Sequence, residues 1–83
     1  MSNKKLINNK LKDIFSSNVR NYRLMRGLSQ EKLAEIANVH RTYISSVERG
    51  ERNITINVME KICNALDLPI TDFLNNTFSE VYA

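Results

Sequence analysis

Apolar residues along this chain return at steps of three and four, and no apolar–polar alternation persists long enough to describe a strand. With two glycines and one proline in 83 residues, that pattern predicts an all-α domain. Leu11, Ile14, Phe15, Val19, Tyr22 and Met25 form the first stripe. They predict a helix that begins between Lys5 and Leu11 and stops before Gly27, a residue suited to the left-handed backbone that closes helices. Asn8 and Asn9 are its candidate caps. Ser29 is placed to cap a second helix over residues 30–37, with Glu31 favouring its dipole and Leu33, Ala34 and Ala37 turned inward. Asn38, which tolerates left-handed geometry, falls in the turn that follows. A third helix over 41–49 turns Ile44 and Val47 inward with Glu48 beside them. Thr42, Ser45, Ser46 and Arg49 face outward, flanked by Arg41 and Tyr43. Gly50 ends it. Thr55 caps a fourth helix over 56–66, with Ile56, Met59, Cys63 and Leu66 as inner stripe and Ile62 alongside. Pro69 opens a short fifth over 69–75.

Residues 29–50, SQEKLAEIANVHRTYISSVERG, thus read as two short amphipathic helices joined by a tight turn. That is the layout of a helix-turn-helix, in which the first helix holds the second so that it can enter the major groove of DNA. The outward side chains suit the task. Arg41 can pair bidentately with guanine O6 and N7, worth about 1–3 kcal/mol of discrimination. Thr42 can offer its hydroxyl to a base or a phosphate and its methyl to thymine, and Ser46 is similarly placed one turn later. Tyr43 can pack on the sugar–phosphate wall or sense local DNA shape. Gln30, at the start of the second helix, and Arg49, Arg52 and Asn53 around the end of the third are candidate backbone contacts. Arg20, Lys32 and the N-terminal lysines are weaker ones. Arg23 and Glu48 lie beside inward stripes, where an unpaired charge is costly, so an ion pair joining the first and third helices is expected.

Charge distribution strengthens this picture. Residues 1–52 hold eleven Lys and Arg against five Asp and Glu, whereas 53–83 hold one against four. A basic front and an acidic back suit a chain that meets a polyanion with one side. The overall balance, 42% hydrophobic and 25% charged, is that of one small globular domain. The single cysteine, Cys63, excludes an internal disulfide and reads as a small buried hydrophobe. The single histidine, His40, just before the third helix, reads as a substitute N-cap or a turn residue. No P-loop, dinucleotide fingerprint or HExxH pattern occurs, so no catalytic site, metal or cofactor is expected. Apolar runs are too short for a membrane span, and MSNKKLINNK is too polar for a signal peptide, so the expected location is cytoplasmic.

Taken together, VRNYR at 19–23, GLSQEKLA at 27–34, YISSVERG at 43–50 and ITINVMEKICNAL at 54–66 resemble the Cro/phage-repressor class of helix-turn-helix proteins. Arg23 and Glu48 match that family's structural ion pair. Within it, HRTYISSVERGERNIT at 40–55 is most similar to the controller proteins of restriction–modification systems. The resemblance implies a compact five-helix, lambda-repressor-like DNA-binding domain over 11–75, between a basic segment 1–10 and a tail 76–83. It implies that Arg41 and Thr42 read bases, Tyr43 senses DNA distortion, and Arg52 and Asn53 hold phosphate. It also implies a homodimer on palindromic operators that regulates its own gene and that of the endonuclease. His40 departs from the usual acidic or hydroxyl cap, and Asn38 from the commoner turn glycine.

Dimerisation also has a physical motive, because one short helix offers few base contacts and two copies one DNA turn apart multiply them. Ile70, Phe73, Leu74, Phe78 and Val81 offer more apolar surface than a tail requires. Part of it, with the outer side of the fourth helix, is the expected two-fold interface. Double-stranded DNA and a second copy are therefore the expected partners, with RNA polymerase as a third. The alternatives are a phage-type repressor and an antitoxin-like protein-interaction module.

Overall fold

The computed structural model describes residues 2–51 and 54–75, with the side chains of 2–10 left aside. Among the described residues there are five helices and no strand: α1 (Ser2–Met25), α2 (Gln30–Ala37), α3 (Arg41–Glu48), α4 (Ile56–Ala65) and α5 (Ile70–Leu74). None is long and apolar enough to cross a membrane.

α1 begins at Ser2, earlier than the expected start between Lys5 and Leu11, and Asn8 and Asn9 lie inside it rather than at its cap. No glycine or proline interrupts residues 2–25, and an interior asparagine costs a helix only about 0.7 kcal/mol. Gly27 closes it with φ 67°. The caps of the next helices are side-chain oxygens. Ser29 accepts from the Lys32 amide at 3.0 Å, and Thr55 accepts from the Val58 amide at 3.2 Å. Asn38 takes the left-handed conformation, φ 58° and ψ 47°, that ends α2. Asp67 has the same positive φ, 58°, after α4, at a position the sequence pattern does not flag.

The core joins all five helices. Phe15 and Val19 of α1, Leu33 and Ala34 of α2, Ile44 and Val47 of α3, Ile62 and Cys63 of α4 with Leu66 at its C-cap, and Phe73 of α5 pack into one cluster. Phe73 is the keystone of the α1–α5 contact, its ring centroid 5.8 Å from that of Phe15 and 5.1 Å from that of Tyr22. Burial raises the Tyr22 phenol above its usual range, helped by Asp72 and opposed by Arg26.

Four stripe residues fall outside this core: Ile14 is half-buried without joining the cluster, and the other three are exposed. Leu11 lies one turn before Phe15, the first buried side chain among the described residues, and is exposed. Met25 sits about 80° round the helix from Phe15 and is exposed. Ile56 is 78% exposed although it lies only about 20° round the helix from the buried Cys63, because it stands on the first turn of α4. The buried stripe here is Ile62, Cys63 and Leu66.

Two polar clamps hold the bundle where the apolar pattern is silent. Asn18 is buried in α1, and its Nδ2 donates to the carbonyls of Phe73 at 2.7 Å and Asn75 at 2.9 Å. This satisfies carbonyls at the C-terminal end of α5, which that short helix cannot satisfy itself. At the other end of α1, Arg26 Nε donates to the Leu66 carbonyl at 2.7 Å, so the orphan end of α4 is closed by a side chain from another helix.

Candidate nucleic-acid interface

α2 and α3 pack against each other, and the buried small residues Ala34 and Ala37 allow their close approach. The Asn38 amide bonds back to Ala34 and Glu35, and the Val39 amide donates to the Ala34 carbonyl at 3.0 Å, so the turn between the helices is tied to α2. His40 then caps α3. Its Nδ1 accepts from the Thr42 amide at 3.3 Å and lies 2.9 Å from Thr42 Oγ1.

α3 advances about 100° per residue, which fixes which side chains it hides. Ile44 and Val47 are fully buried. Glu48 is held under the helix by a network from α1 and α2. Arg23 Nε donates to Glu48 Oε2 at 2.6 Å and Arg23 Nη2 to Oε1 at 2.9 Å, with side-chain exposures of 9% and 3%. Arg23 Nη1 donates in turn to the Leu28 carbonyl at 2.7 Å. The hydrogen bond to Glu48 raises the Arg23 guanidinium further above its ordinary value, against the opposing effect of burial. The pair thus joins α1, the loop before α2, and α3.

On the opposite side Arg41 and Thr42 are exposed, and Ser46 is half-buried at their edge. Arg41 makes no hydrogen bond or ion pair to any described residue, so its five donors face outward. Ser46 Oγ donates to the Thr42 carbonyl at 2.9 Å. Tyr43 is half-buried and packs against the core. Gly50, with φ 70°, turns the chain after α3, and a Cβ there would stand 3.4 Å from Asp13 Oδ1.

The remaining candidates occupy varied settings. Gln30 Nε2 donates to Glu48 Oε1 at 3.1 Å, so this side chain also braces α3 from α2. Arg49 is folded back on itself, with Nε and Nη2 donating to the two carboxylate oxygens of Glu51 at 2.9 and 3.0 Å and Nη1 donating to Ser45 Oγ. Lys32 is paired with Glu35 at 2.8 Å. Arg52 and Asn53 lie outside the described residues. Of the expected interface set, Phe73 is a correction: it is 0% exposed in the single chain and fills the core, so it has no surface for a second copy. Its ring is consumed by Phe15 and Tyr22. Ile70 and Leu74 are exposed on the same helix, and Phe78 and Val81 lie outside the described residues.

Sequence reasoning missed the Asn18 and Arg26 clamps and the second contact of His40 with Thr42. A polar residue inside an apolar stripe is the signal for Asn18. For His40 the signal is the spacing His-x-Thr at a helix start. Among the described residues no group of His, Cys, Asp or Glu is arranged to hold a metal ion.

Comparison with known proteins gives this geometry its family. Residues 19–73 match the helix-turn-helix family HTH_3. The control protein C.SmaI of Serratia marcescens is 48% identical over 64 residues, which span 77% of this chain and 76% of that protein. The control protein C.BamHI of Bacillus amyloliquefaciens is 44% identical over 70 residues, 83% of this chain and 86% of that protein. The crystal structure of the restriction–modification controller protein C.AhdI from Aeromonas hydrophila superposes with a TM-score of 0.72 at 35% identity, covering 75% of this chain and 94% of that one. This chain belongs to the helix-turn-helix family and, within it, to the restriction–modification controller proteins.

Proposed function

We propose that the protein binds palindromic operators as a homodimer and regulates both its own gene and that of a neighbouring restriction endonuclease. Its class is that of DNA-binding transcription regulators. The observation that carries the reading is the division of α3 into two sides. Arg41 and Thr42 stand exposed, while Ile44, Val47 and Glu48 are locked beneath them. A helix held this rigidly presents its outer side chains to base edges with little further ordering.

In this reading Arg41, Thr42 and Ser46 read bases, and Tyr43 responds to the shape of the duplex. Gln30, Arg49, Arg52 and Asn53 contact the backbone. For Arg49 this requires exchanging Glu51 for phosphate, an exchange between two exposed partners of like charge. Ile70 and Leu74, exposed beside α4, supply apolar surface for the second copy, which places its own recognition helix about 34 Å away.

The test is titration of the purified protein against the duplex upstream of its gene and against a scrambled duplex. Arg41→Ala lowers the preference for the operator by about 1–3 kcal/mol and leaves salt-sensitive nonspecific binding in place. An Arg41→Ala protein with undiminished selectivity overturns the base-reading assignment. Sedimentation showing only monomer at micromolar concentration overturns the dimer.

A further inference from the structure

His40 Nδ1 faces two groups of the same residue, the Thr42 backbone N at 3.3 Å and the Thr42 hydroxyl oxygen at 2.9 Å. The backbone N–H can only donate, so Nδ1 presents its lone pair and the ring proton sits on Nε2. That lone pair also meets Thr42 Oγ1. Two lone pairs at 2.9 Å would repel, so the hydroxyl turns its proton toward His40. With its one proton committed, Oγ1 has only lone pairs left for anything outside the protein. Ser46, one turn later, has likewise committed its hydroxyl proton, to the Thr42 carbonyl. The outer side of α3 therefore has a fixed polarity, with donors at Arg41 and acceptors at Thr42 and Ser46.

DNA answers that polarity selectively. Phosphate oxygens only accept, so Thr42 in this state cannot grip the backbone. In the major groove N7, O6 and O4 also accept, and the donors are the amino groups of adenine N6 and cytosine N4. We propose that His40 is a positioning residue that sets specificity: by taking the Thr42 hydroxyl proton it makes Oγ1 an acceptor and commits that point of α3 to a base with an amino group in the major groove. This rests on the DNA-reading role of α3 argued above and adds the direction of one hydrogen bond.

The experiment uses the full chain and the tightest duplex selected from a random-sequence pool. Each adenine is replaced in turn by purine, which lacks the N6 amino group, and each cytosine by 2-pyrimidinone, which lacks N4. In a second series an amino group is exchanged for a carbonyl, adenine to guanine or cytosine to thymine, with the partner base changed to match. At one position amino removal weakens the wild type about threefold to tenfold, the worth of one hydrogen bond, and does not weaken Thr42→Val. At that position the exchange to a carbonyl weakens the wild type and His40→Asn, which keeps an acceptor, more than it weakens His40→Ala, whose Thr42 hydroxyl is free to rotate. If Thr42→Val abolishes no amino-group penalty anywhere, the proposal is overturned. It is equally overturned if His40→Ala weakens binding to natural and exchanged duplexes by the same factor, because His40 is then a structural cap alone. If the wild type selects no sequence from the pool, the DNA-reading role itself fails, a result distinct from either of these.

Discussion

Removing the Glu48 carboxylate tests the mechanical basis of the site. In Glu48→Ala, Arg23 loses the acceptors of two hydrogen bonds, at 2.6 and 2.9 Å, and Gln30 loses its acceptor at 3.1 Å. The guanidinium keeps only the Leu28 carbonyl and is left charged in a setting where its residue is 8% exposed. An uncompensated charge of this kind costs about 3–5 kcal/mol. A chain of this length has about 4–12 kcal/mol of stability in all, so the single variant is brought close to unfolding. Urea denaturation followed by far-ultraviolet circular dichroism reads the loss directly. The double variant Arg23→Met, Glu48→Leu removes both charges and returns to within about 1 kcal/mol of wild type, because a buried pair replaced whole by apolar side chains is nearly neutral. In the cycle completed by the single variants Arg23→Met and Glu48→Leu, the coupling energy between the two sites exceeds about 2 kcal/mol. A loss below about 1 kcal/mol in Glu48→Ala, or single effects that simply add, refutes the claim that this pair is a buried tie. Operator binding by the double variant supplies a second reading. It is folded but lacks the directional link between α1 and α3, and its operator affinity falls; unchanged affinity means that core packing alone aims the helix.

Asn18→Ala leaves the Phe73 and Asn75 carbonyls without their donor and lowers stability by about 2–3 kcal/mol in the same denaturation assay. Gly50→Ala forces an L side chain into φ 70°, costing about 1–2 kcal/mol, and the melting temperature reports it. Burial pushes the Cys63 thiol from 9.0 up to about 11. The folded state therefore holds a proton that the unfolded state releases from about pH 9, so this contribution to stability is complete below pH 9 and is lost as pH rises through 11. The free energy of unfolding falls across that window by up to about 2 kcal/mol more in wild type than in Cys63→Ala. Equal pH slopes would remove Cys63 as the cause.

How much of this is legible in the sequence depends on the range of the force involved. The helices and their ends are local. Ser29 and Thr55 cap from three residues away, Gly27 takes left-handed geometry because it has no Cβ, and Asn38 because its short polar side chain tolerates it. The outward placement of Arg41 and Thr42 is equally local, since angular spacing along one helix decides it once Ile44 and Val47 are buried. Stripe edges are not local. Ile56 carries the same apolar signal as Ile62, yet it is exposed and Ile62 is buried, because burial is set by what packs against each position. Phe73 shows the same limit from the other direction. An aromatic residue near the end of a chain looks like spare surface until Phe15 and Tyr22, more than fifty residues earlier, enclose it. Asn18 and Arg26 are harder still, because what they satisfy is backbone. A carbonyl at the end of α4 or α5 has no letter in the sequence to advertise it, and the donor that reaches it is chosen by the packing of α1. His40 joins the two regimes. Its capping of the Thr42 amide follows from position alone, but its grip on the Thr42 hydroxyl depends on a side-chain rotamer. That second contact decides whether the recognition surface offers a proton or asks for one. The fold is thus written in spacing, while the sign of the hydrogen bond offered to DNA is written in one side chain's choice of partner.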